Sequence, residues 1–179
     1  MNCVQTSLQD CILIKPKIFE DKRGFFLESF HSSRYFKLIG PNLEFVQDNH
    51  SNSTKGVLRG LHFQKPPFEQ TKLVRVVYGK VLDVAVDLRE GSPTYGKHHS
   101  IELSDENKLQ FLIPKGFAHG FITLSDKVIF SYKVDAPYSA EHESGIHPLH
   151  NTFNLDWRVS RKDIVISKKD FLLPNFTNK

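Results

Sequence analysis

The sequence contains only two cysteines, Cys3 and Cys11, and no apolar run that approaches the roughly 18 residues of a membrane span. Two thiols close to one end of the chain do not make a disulfide framework, and no C-x-x-C motif is present. The first residues carry no basic segment followed by an apolar one, so we expect no secretory signal. These absences predict a reduced, cytoplasmic protein that does not enter the membrane.

Basic residues are not concentrated in one part of the chain. The 24 lysines and arginines stand against 20 acidic residues, which gives a formal net charge of +4. The densest basic segment, 158–169, is interrupted by Asp163 and by apolar residues, a pattern typical of a solvated segment. Nucleic acid is therefore not expected as a partner.

Helical periodicity is also scarce. One helix is predicted over residues 32–38, with Ser32 or Ser33 as its N-cap and Gly40-Pro41 as its end. The rest consists mainly of short β-rich runs separated by Gly, Pro, Asn and Asp, such as 25–30, 73–78, 81–88, 99–103, 110–113, 120–124 and 128–134. This pattern predicts a single all-β domain over residues 1–179, built as a sandwich or barrel.

The segment 72–88 is predicted to be a β-hairpin, because two β-rich runs are joined by a Gly-Lys pair. In this hairpin Lys72 lies opposite Asp87, and alternation puts both on one face with Asp83 and small apolar residues. The polar face has two interpretations. It is either exposed to solvent with a cross-strand ion pair, or it lines the lumen of a small barrel, where charged groups must be paired or used.

Two sequence motifs of cupins indicate whether the chain could bind a metal. A Pro-x-Gly-x-x-His segment that ends at His119 matches the second motif of cupin jelly rolls, in which the histidine binds a metal. The first cupin motif is incomplete, because Gln64 occupies the second ligand position after His62 and Glu69 lies in a Pro-rich loop. Two histidines and one loop carboxylate make a poor three-ligand site, so no metal is predicted. A lone histidine or tyrosine, such as Tyr132, is by itself most often structural.

Several longer segments occur in an order typical of one family. They are DKRGFF at 21–26, QDNHS at 47–51, GVLRGLHFQ at 56–64, KLVR at 72–75, DVAVDLR at 83–89, SPTYG at 92–96, and residues 113–121. Together they resemble the dTDP-4-dehydrorhamnose 3,5-epimerase family over residues 12–138. The resemblance implies a cupin-type jelly roll with a few short helices, a homodimer with strand exchange, and an active site in the lumen. It also implies a nucleoside-diphosphate 4-keto-6-deoxy sugar as substrate and no cofactor.

The implied reaction uses the substrate's own ketone as the electron sink. The 4-keto group acidifies the hydrogens on C3 and C5, so a base forms an enolate and reprotonation from the other face inverts the carbon. The resemblance implies His62 as the base, Asp170 as its carboxylate partner, Lys72 as the cation beside the enolate oxygen, and Tyr132 as the acid. These roles match the chemistry of the side chains, since histidine is a suitable base near neutral pH.

The resemblance also implies a set of substrate-binding residues. Those at the nucleotide and diphosphate, some of them from the neighbouring subunit, are Phe19, Arg23, Glu28, Gln47, Asn49 and Arg59. Those at the sugar are Asp83, His119 and Tyr138. Arginine suits a diphosphate because its planar fork donates paired hydrogen bonds.

Two departures from the family pattern leave the exact substrate open. Leu112 replaces a common tryptophan, and the segment 147–151 has an unusual sequence. Alternatives within the family are an epimerase that inverts only C3 and a GDP-4-keto-heptose 3,5-epimerase, in the synthesis of rhamnose-like or other surface-glycan sugars such as those of lipopolysaccharide or capsule. Alternatives of other classes are a metal-dependent cupin enzyme and an inactive sugar-binding module. An inactive site tends to lose its key residues, whereas His62, Lys72 and Tyr132 are all present.

Overall fold

Short runs of alternating side chains form a structure that is almost entirely β-strand. The computed structural model describes residues 1–40 and 43–177, which contain fourteen strands. The first sheet has the order β1 (Asn2–Gln5), β2 (Ile12–Lys15), β10 (Gln110–Ile113), β7 (Lys72–Tyr78), β12 (Lys127–Val134) and β5 (Gln47–Thr54). The second has the order β13 (Glu143–Gly145), β6 (Val57–Gln64), β11 (Phe117–Thr123), β8 (Lys80–Asp87) and β9 (His98–Ser104), with β14 (Val165–Ile166) parallel to β6. β3 (Ile18–Asp21) and β4 (Gly24–Leu27) form a separate hairpin.

The helices are few and short. They are α1 (Ser32–Ile39), α2 (Lys168–Phe171) and two 3-10 helices at Asn151–Phe153 and Arg161–Asp163. The prediction of an all-β sandwich with a few short helices is thereby confirmed. Among the described residues, no helix has the length and apolar character needed to span a bilayer.

The predicted helix is present as α1, but its predicted N-cap is wrong. The capping position is His31, whose side chain makes no capping hydrogen bond, and both Ser32 and Ser33 lie inside the helix. At the other end Gly40 is the C-cap, and its N–H donates to the carbonyl of Phe36 at 3.0 Å. Pro41, the other half of the predicted end, lies outside the described residues.

The inner faces of the two sheets share one hydrophobic core. Val74 and Val76 of the first sheet pack in the same cluster as Ala85 and Phe121 of the second. The ring of Phe121 also stacks on that of Phe130, with centroids 4.1 Å apart. Burial of this apolar surface, at about 25 cal/mol per Å², is the main force that holds the sheets together.

The outer face of the second sheet carries another core, and the C-terminal segment covers it. Leu82 and Val84 pack there with Phe153 and Trp157. The indole N–H of Trp157 donates to the carbonyl of Pro148 at 3.0 Å, so its polar atom is satisfied although the ring is buried. This packing brings β14 alongside β6 and places α2 at the edge of the second sheet.

The predicted hairpin over residues 72–88 is wrong in its pairing. β7 pairs with β10 and β12 in the first sheet, whereas β8 pairs with β11 and β9 in the second. Lys72 is therefore not opposite Asp87. The predicted alternation nevertheless holds, because Val76 and Ala85 both face the inner core. The predicted polar face is thus divided between the two sheets, with Lys72 on the first and Asp83 on the second.

Gly79 explains why the chain crosses between sheets at this point. Its φ is +81°, in the region that favours glycine. A Cβ at this position would lie 2.2 Å from the carbonyl oxygen of Lys127. The backbone at Gly79 therefore packs in direct contact with the start of β12, which leaves no room for a side chain. A Gly-Lys pair is compatible with this corner and also with a hairpin turn. The local sequence therefore does not distinguish a crossing between sheets from a hairpin.

Strand β5, with the sequence QDNHSNST, was not among the predicted strands. Its residues are polar and have low β-propensity. It is held at the edge of the first sheet by antiparallel pairing with β12 along its whole length. Backbone pairing therefore overrides side-chain preference here. The predicted strand 110–113 is confirmed as β10. The other predicted boundaries differ by up to three residues, as for 25–30, where β4 ends at Leu27.

Asp87 lies buried at the end of β8 and is surrounded by donors. Its carboxylate accepts hydrogen bonds from Arg89 Nε at 3.0 Å, Ser92 Oγ at 2.6 Å and Thr94 Oγ1 at 2.6 Å. Burial raises the pKa of this carboxyl, but the hydrogen bonds outweigh burial and lower the pKa to about 2. The ionised form is therefore the one that the fold stabilises.

Replacement of Asp87 by asparagine should remove an acid-sensitive part of the folding free energy. The folded pKa of about 2 lies below the model-peptide value of 3.8, so this contribution is present above the higher value and is lost as the pH falls toward the lower one. The difference corresponds to roughly 2 kcal/mol. Urea unfolding at neutral and acidic pH should show a weaker pH dependence in this variant than in the wild type. Asp126→Asn, at an exposed position, should retain the wild-type dependence; an unchanged dependence in Asp87→Asn would contradict the assignment.

Candidate active site

The two sheets enclose a cavity of about 620 Å³. Its lining includes polar side chains that lie far apart in the sequence: Asn49, Arg59, His62, Lys72, His119, Tyr132, Ser167, Lys169 and Asp170. Strand alternation accounts for much of this lining, since inward positions on a strand recur at every second residue. The volume is in the range of pockets that bind small molecules.

His62 and Asp170 form a hydrogen-bonded pair in one wall of the cavity. His62 lies on β6, and its Nε2 donates to Asp170 Oδ1 at 2.8 Å. The second oxygen of Asp170 accepts from the backbone N–H of Gly60 at 3.2 Å, and the backbone N–H of Asp170 donates to Ser167 Oγ at 3.0 Å. Asp170 is thus fixed by α2 and β6 together, and it orients the imidazole ring.

The charge of Asp170 is maintained although the residue is only 5% exposed. Burial raises the pKa of the Asp170 carboxyl. The hydrogen bond from His62, the charge of His62 and the hydrogen bond from the N–H of Gly60 outweigh burial and lower the pKa below its usual range. An ionised carboxylate beside a histidine stabilises the imidazolium that forms when the ring accepts a proton. The Nε2 is occupied by Asp170, which leaves the other ring nitrogen for a substrate.

Lys72 reaches the same site from the opposite sheet. It begins β7, is 9% exposed, and its Nζ donates to the backbone carbonyl of His62 at 3.3 Å. Burial lowers the pKa of Lys72 to about 8, although Asp83 and Glu143 act in the other direction. The amine is therefore a cation at neutral pH that loses its charge under mildly alkaline conditions.

Asp83 and His119 form a second buried pair on neighbouring strands of the second sheet. Nε2 of His119 lies 3.0 and 2.9 Å from the two carboxylate oxygens of Asp83, and both side chains are almost fully buried. Burial lowers the pKa of His119, partly offset by Asp83. The ring of His119 also stacks near that of Phe130, with centroids 6.1 Å apart. The hydrogen bond to Asp83 holds the ring of His119 in place in the cavity lining.

Tyr132 faces the cavity from β12, in the sheet opposite to the one that carries His62. Burial raises the pKa of its hydroxyl, an effect that Arg59 partly counters. The hydroxyl is therefore protonated at neutral pH and available as a proton donor. The cavity thus has a candidate base in one wall and a candidate acid in the other.

The polar residues of β5 and β6 line the rest of the cavity. Arg59 is fastened by a hydrogen bond of 3.1 Å from its Nε to Ser53 Oγ, which leaves its terminal nitrogens for a ligand. Gln47 donates to Asn49 Oδ1 at 2.9 Å and accepts from the backbone N–H of Tyr138 at 3.0 Å. Asn49 and Arg59 are in the lining, while Gln47 supports them from the strand end.

Three of the predicted nucleotide contacts are not brought to this cavity within one chain. Phe19 and Arg23 lie on the β3–β4 hairpin, beside a separate groove. Arg23 pairs with Asp21 at 2.6 Å, and Glu28, just after the hairpin, pairs with Arg34. Seven of the other predicted site residues line the one cavity: Asn49, Arg59, His62, Lys72, His119, Tyr132 and Asp170.

Tyr138 lies at the edge of the site and is 53% exposed. Its hydroxyl donates to Glu143 Oε2 at 2.6 Å, and Lys169 makes an ion pair with the same carboxylate oxygen. Since Lys169 lines the cavity, Glu143 links Tyr138 to the cavity wall. Glu143, Lys169 and Ser167 were not among the predicted site residues. A signal existed for Ser167, because serine three residues before Asp170 has the spacing of a helix N-cap, and its hydroxyl caps α2.

The donor set of a cupin metal site is not assembled in the described part of the chain. Gln64, at the second ligand position, uses its amide to bind the backbone of Phe68, Pro137 and Ser139. His62 and His119 are each occupied by a carboxylate. No group of three His, Cys, Asp or Glu side chains suited to a metal occurs among residues 1–40 and 43–177.

The sequence and the fold of this chain are similar to those of known proteins. A family model described as dTDP-4-dehydrorhamnose 3,5-epimerase matches residues 5–178. The dTDP-4-dehydrorhamnose 3,5-epimerase of Shigella flexneri is 51% identical over 170 residues, which cover 95% of this chain and 93% of that protein. The crystal structure of the enzyme of the same name from Elizabethkingia anophelis NUHP1 is similar with a TM-score of 0.94 at 49% identity, over 98% of this chain and 96% of that one.

Some of the similar structures contain a sugar nucleotide. The crystal structure of dTDP-6-deoxy-D-glucose-3,5-epimerase from Legionella pneumophila Philadelphia 1 is a complex with dTDP-4-keto-L-rhamnose. It is similar to this chain with a TM-score of 0.90 and 46% identity, over 99% of both chains. The match to the family model also includes the C-terminal part of the chain, which carries Asp170.

Proposed function

This chain belongs to the dTDP-4-dehydrorhamnose 3,5-epimerase family and is an epimerase of that type, and we propose that it inverts both C3 and C5 of a dTDP-linked 4-keto-6-deoxy sugar without a cofactor. The observation that carries this proposal is the arrangement of His62 and Tyr132 in opposite walls of one cavity, with Lys72 beside His62. A base and an acid on opposite sides of a sugar ring are what inversion of a carbon centre requires.

The first step is the removal of a carbon-bound proton. His62 takes the proton from C3 or C5, and Asp170 stabilises the imidazolium that results. The electron pair of the broken C–H bond forms a C=C bond to C4, and the carbonyl electrons move to the oxygen. Lys72, protonated at neutral pH, supplies the positive charge that stabilises this enolate oxygen.

The second step returns a proton from the other side of the ring. Tyr132 donates its hydroxyl proton to the carbon, the C=C bond opens and the ketone reforms. The raised pKa of this hydroxyl supports the role, because the group is protonated at neutral pH. Asp83 and His119 are proposed to bind the sugar from the second sheet, where their hydrogen bond holds them rigid.

The proposal of dTDP as the nucleotide has two supports. The similar proteins of known name act on dTDP sugars, and one of them was crystallised with dTDP-4-keto-L-rhamnose. The cavity also provides cations for a diphosphate, since Arg59 and Lys169 both line it. Double inversion is proposed on the same basis, because the relatives named above are 3,5-epimerases.

We also propose a homodimer with strand exchange. The β3–β4 hairpin pairs with neither sheet, and its Phe19, Phe25 and Phe26 are 49%, 56% and 65% exposed. An exposed aromatic hairpin of this kind supports insertion into a second copy of the chain. In that arrangement Phe19, Arg23 and Glu28 would meet the nucleotide in the cavity of the second copy.

The choice of nucleotide and sugar is tested by comparing kcat/KM for dTDP-4-keto-6-deoxyglucose with that for a GDP-linked 4-keto-6-deoxy sugar. The proposal predicts that the dTDP substrate is preferred by about 100-fold or more, the magnitude that loss of matched base contacts produces. Turnover should be followed by proton NMR, which identifies whether one or both centres are inverted. Equal or better turnover of the GDP sugar would contradict the proposal for the nucleotide, and inversion of C3 alone would contradict it for the second centre.

A further inference from the structure

Residues 136–139, which join β12 to β13 and carry Tyr138, are held through their backbone by three glutamine side chains. Gln70 Nε2 donates to the carbonyl of residue 136 at 2.8 Å, and Gln64 Nε2 donates to that of residue 137 at 3.3 Å. Gln47 Oε1 accepts from the N–H of Tyr138 at 3.0 Å, and Gln64 Oε1 accepts from the N–H of residue 139 at 2.7 Å. Four consecutive residues are therefore fixed by side-chain amides.

Two of the three glutamines approach this segment from opposite sheets, and Gln70 approaches it from the loop between β6 and β7. Gln47 begins β5 in the first sheet, whereas Gln64 ends β6 in the second. Gln64 is only 6% exposed, and its amide is fully used, since Nε2 also donates to the carbonyl of Phe68 at 3.0 Å. A primary amide is required for this arrangement, because it donates two hydrogen bonds and accepts another in one plane.

The side chain of Tyr138 depends on this support. Its ring is half exposed and has no aromatic partner among the described residues, and its hydroxyl bonds only to Glu143, at 2.6 Å. Glu143 in turn pairs with Lys169 in the cavity wall. The backbone anchors therefore decide where the ring lies relative to the cavity, more than packing of the ring itself does.

We propose that Gln64 is a positioning residue, which fixes Tyr138 beside the cavity so that the tyrosine contacts the bound sugar nucleotide. This inference rests on the proposed function, because it assigns Tyr138 to the substrate of that reaction. Gln64 occupies the position where a metal-binding cupin carries a ligand, and here its amide holds a substrate-binding segment. Loss of the anchor should weaken substrate binding and leave the chemical step at His62 intact.

The test is Gln64→Met, which keeps the length of the side chain and removes its hydrogen bonds. We expect KM for dTDP-4-keto-6-deoxyglucose to rise about tenfold, with kcat changed less than about threefold. The same substitution in a Tyr138→Ala background should produce no further rise in KM, because residues that act through one another are not additive. Additive effects of the two substitutions on KM, or a fall in kcat with KM unchanged, would overturn the proposal.

Gln110→Met is the matched control. Gln110 is 1% exposed and also uses both ends of its amide, accepting from Tyr35 Oη at 2.7 Å and donating to the carbonyl of Ser29 at 2.8 Å. Gln110→Met should lower the melting temperature, as is also expected of Gln64→Met. It should not cause any change of KM that depends on Tyr138. A change that does depend on Tyr138 would overturn the specific role of Gln64.

Gln70→Met keeps the proposal testable if Gln64→Met does not fold. It removes only the bond to residue 136, so a smaller rise in KM is expected, again absent in the Tyr138→Ala background. A rise that persists in that background would overturn the proposal. Failure of the wild type to convert the substrate would contradict the proposed function and not the role of Gln64. The activity of the wild type is therefore measured separately.

Discussion

Replacing His62 by alanine should lower kcat by about 10³-fold or more, with little change in KM. The Nε2 of His62 lies 2.8 Å from Asp170 Oδ1, so Asp170 orients the ring. We propose that His62 removes the carbon-bound proton. Without it, the cavity keeps Lys72 and Tyr132 but has no oriented base in the wall of β6. The measurement is the steady-state conversion of dTDP-4-keto-6-deoxyglucose by the wild type and the variant.

Two further variants make this result specific. Asp170→Asn keeps a hydrogen-bond acceptor but removes the charge that stabilises the imidazolium, so kcat should fall by roughly 10 to 100-fold, less than in His62→Ala. His150→Ala removes a partly exposed histidine that hydrogen-bonds to Thr152 and should leave kcat unchanged. A His62→Ala enzyme with near wild-type kcat would remove this residue from the mechanism.

Replacing Lys72 by methionine should lower kcat by about 10² to 10³-fold, because the enolate oxygen loses its fixed positive charge. The wild type should also show a pH dependence that the variant lacks. Burial lowers the pKa of Lys72 to about 8, so the cation is lost as the pH rises through that value, and the activity of the wild type should fall there. The residual activity of Lys72→Met should lack this alkaline limb.

The pH profile of kcat between neutral and strongly alkaline pH provides the measurement. Lys127→Met, at an exposed position, is the control and should keep both the rate and the alkaline limb. Lys72→Arg should lack the limb, since an arginine keeps its charge throughout this range. An alkaline limb of unchanged position in Lys72→Met would assign the titration to another group.

The sequence predicted which way side chains face better than it predicted which strands pair. Alternation put Lys72 and Asp83 on a common polar face. Lys72 does line the cavity, and Asp83 is buried and hydrogen-bonded to His119, which lines it too. The pairing was wrong because a hairpin turn and the corner at Gly79 have the same local sequence. Only the close approach of the Lys127 carbonyl, a contact between distant segments, separates the two.

Contacts between distant segments also limit what a single sequence says about the site. His62 and Asp170 are 108 positions apart, and no periodicity links them. Their pairing was expected only from the resemblance to a known family. Once the fold is known, the reason is physical: the C-terminal segment packs on the second sheet through Trp157 and carries Asp170 to β6.

The β3–β4 hairpin shows a different limit. Phe19 and Arg23 were expected at the nucleotide, yet in one chain they lie away from the cavity on an exposed hairpin. A sequence motif identifies such residues without stating which copy of the chain they serve. The position of the hairpin, paired with neither sheet, is what makes a second copy the proposed recipient.

The central claim is that this enzyme activates the sugar by removing carbon-bound hydrogens without a metal or other cofactor. The most direct measurement is proton NMR of dTDP-4-keto-6-deoxyglucose in deuterated water, with the wild-type enzyme after treatment with EDTA. We predict that the signals of both the C3 and the C5 hydrogens disappear as deuterium enters and that epimerised product forms. Absence of exchange at both carbons, or exchange that returns only when a metal is added, would contradict the claim.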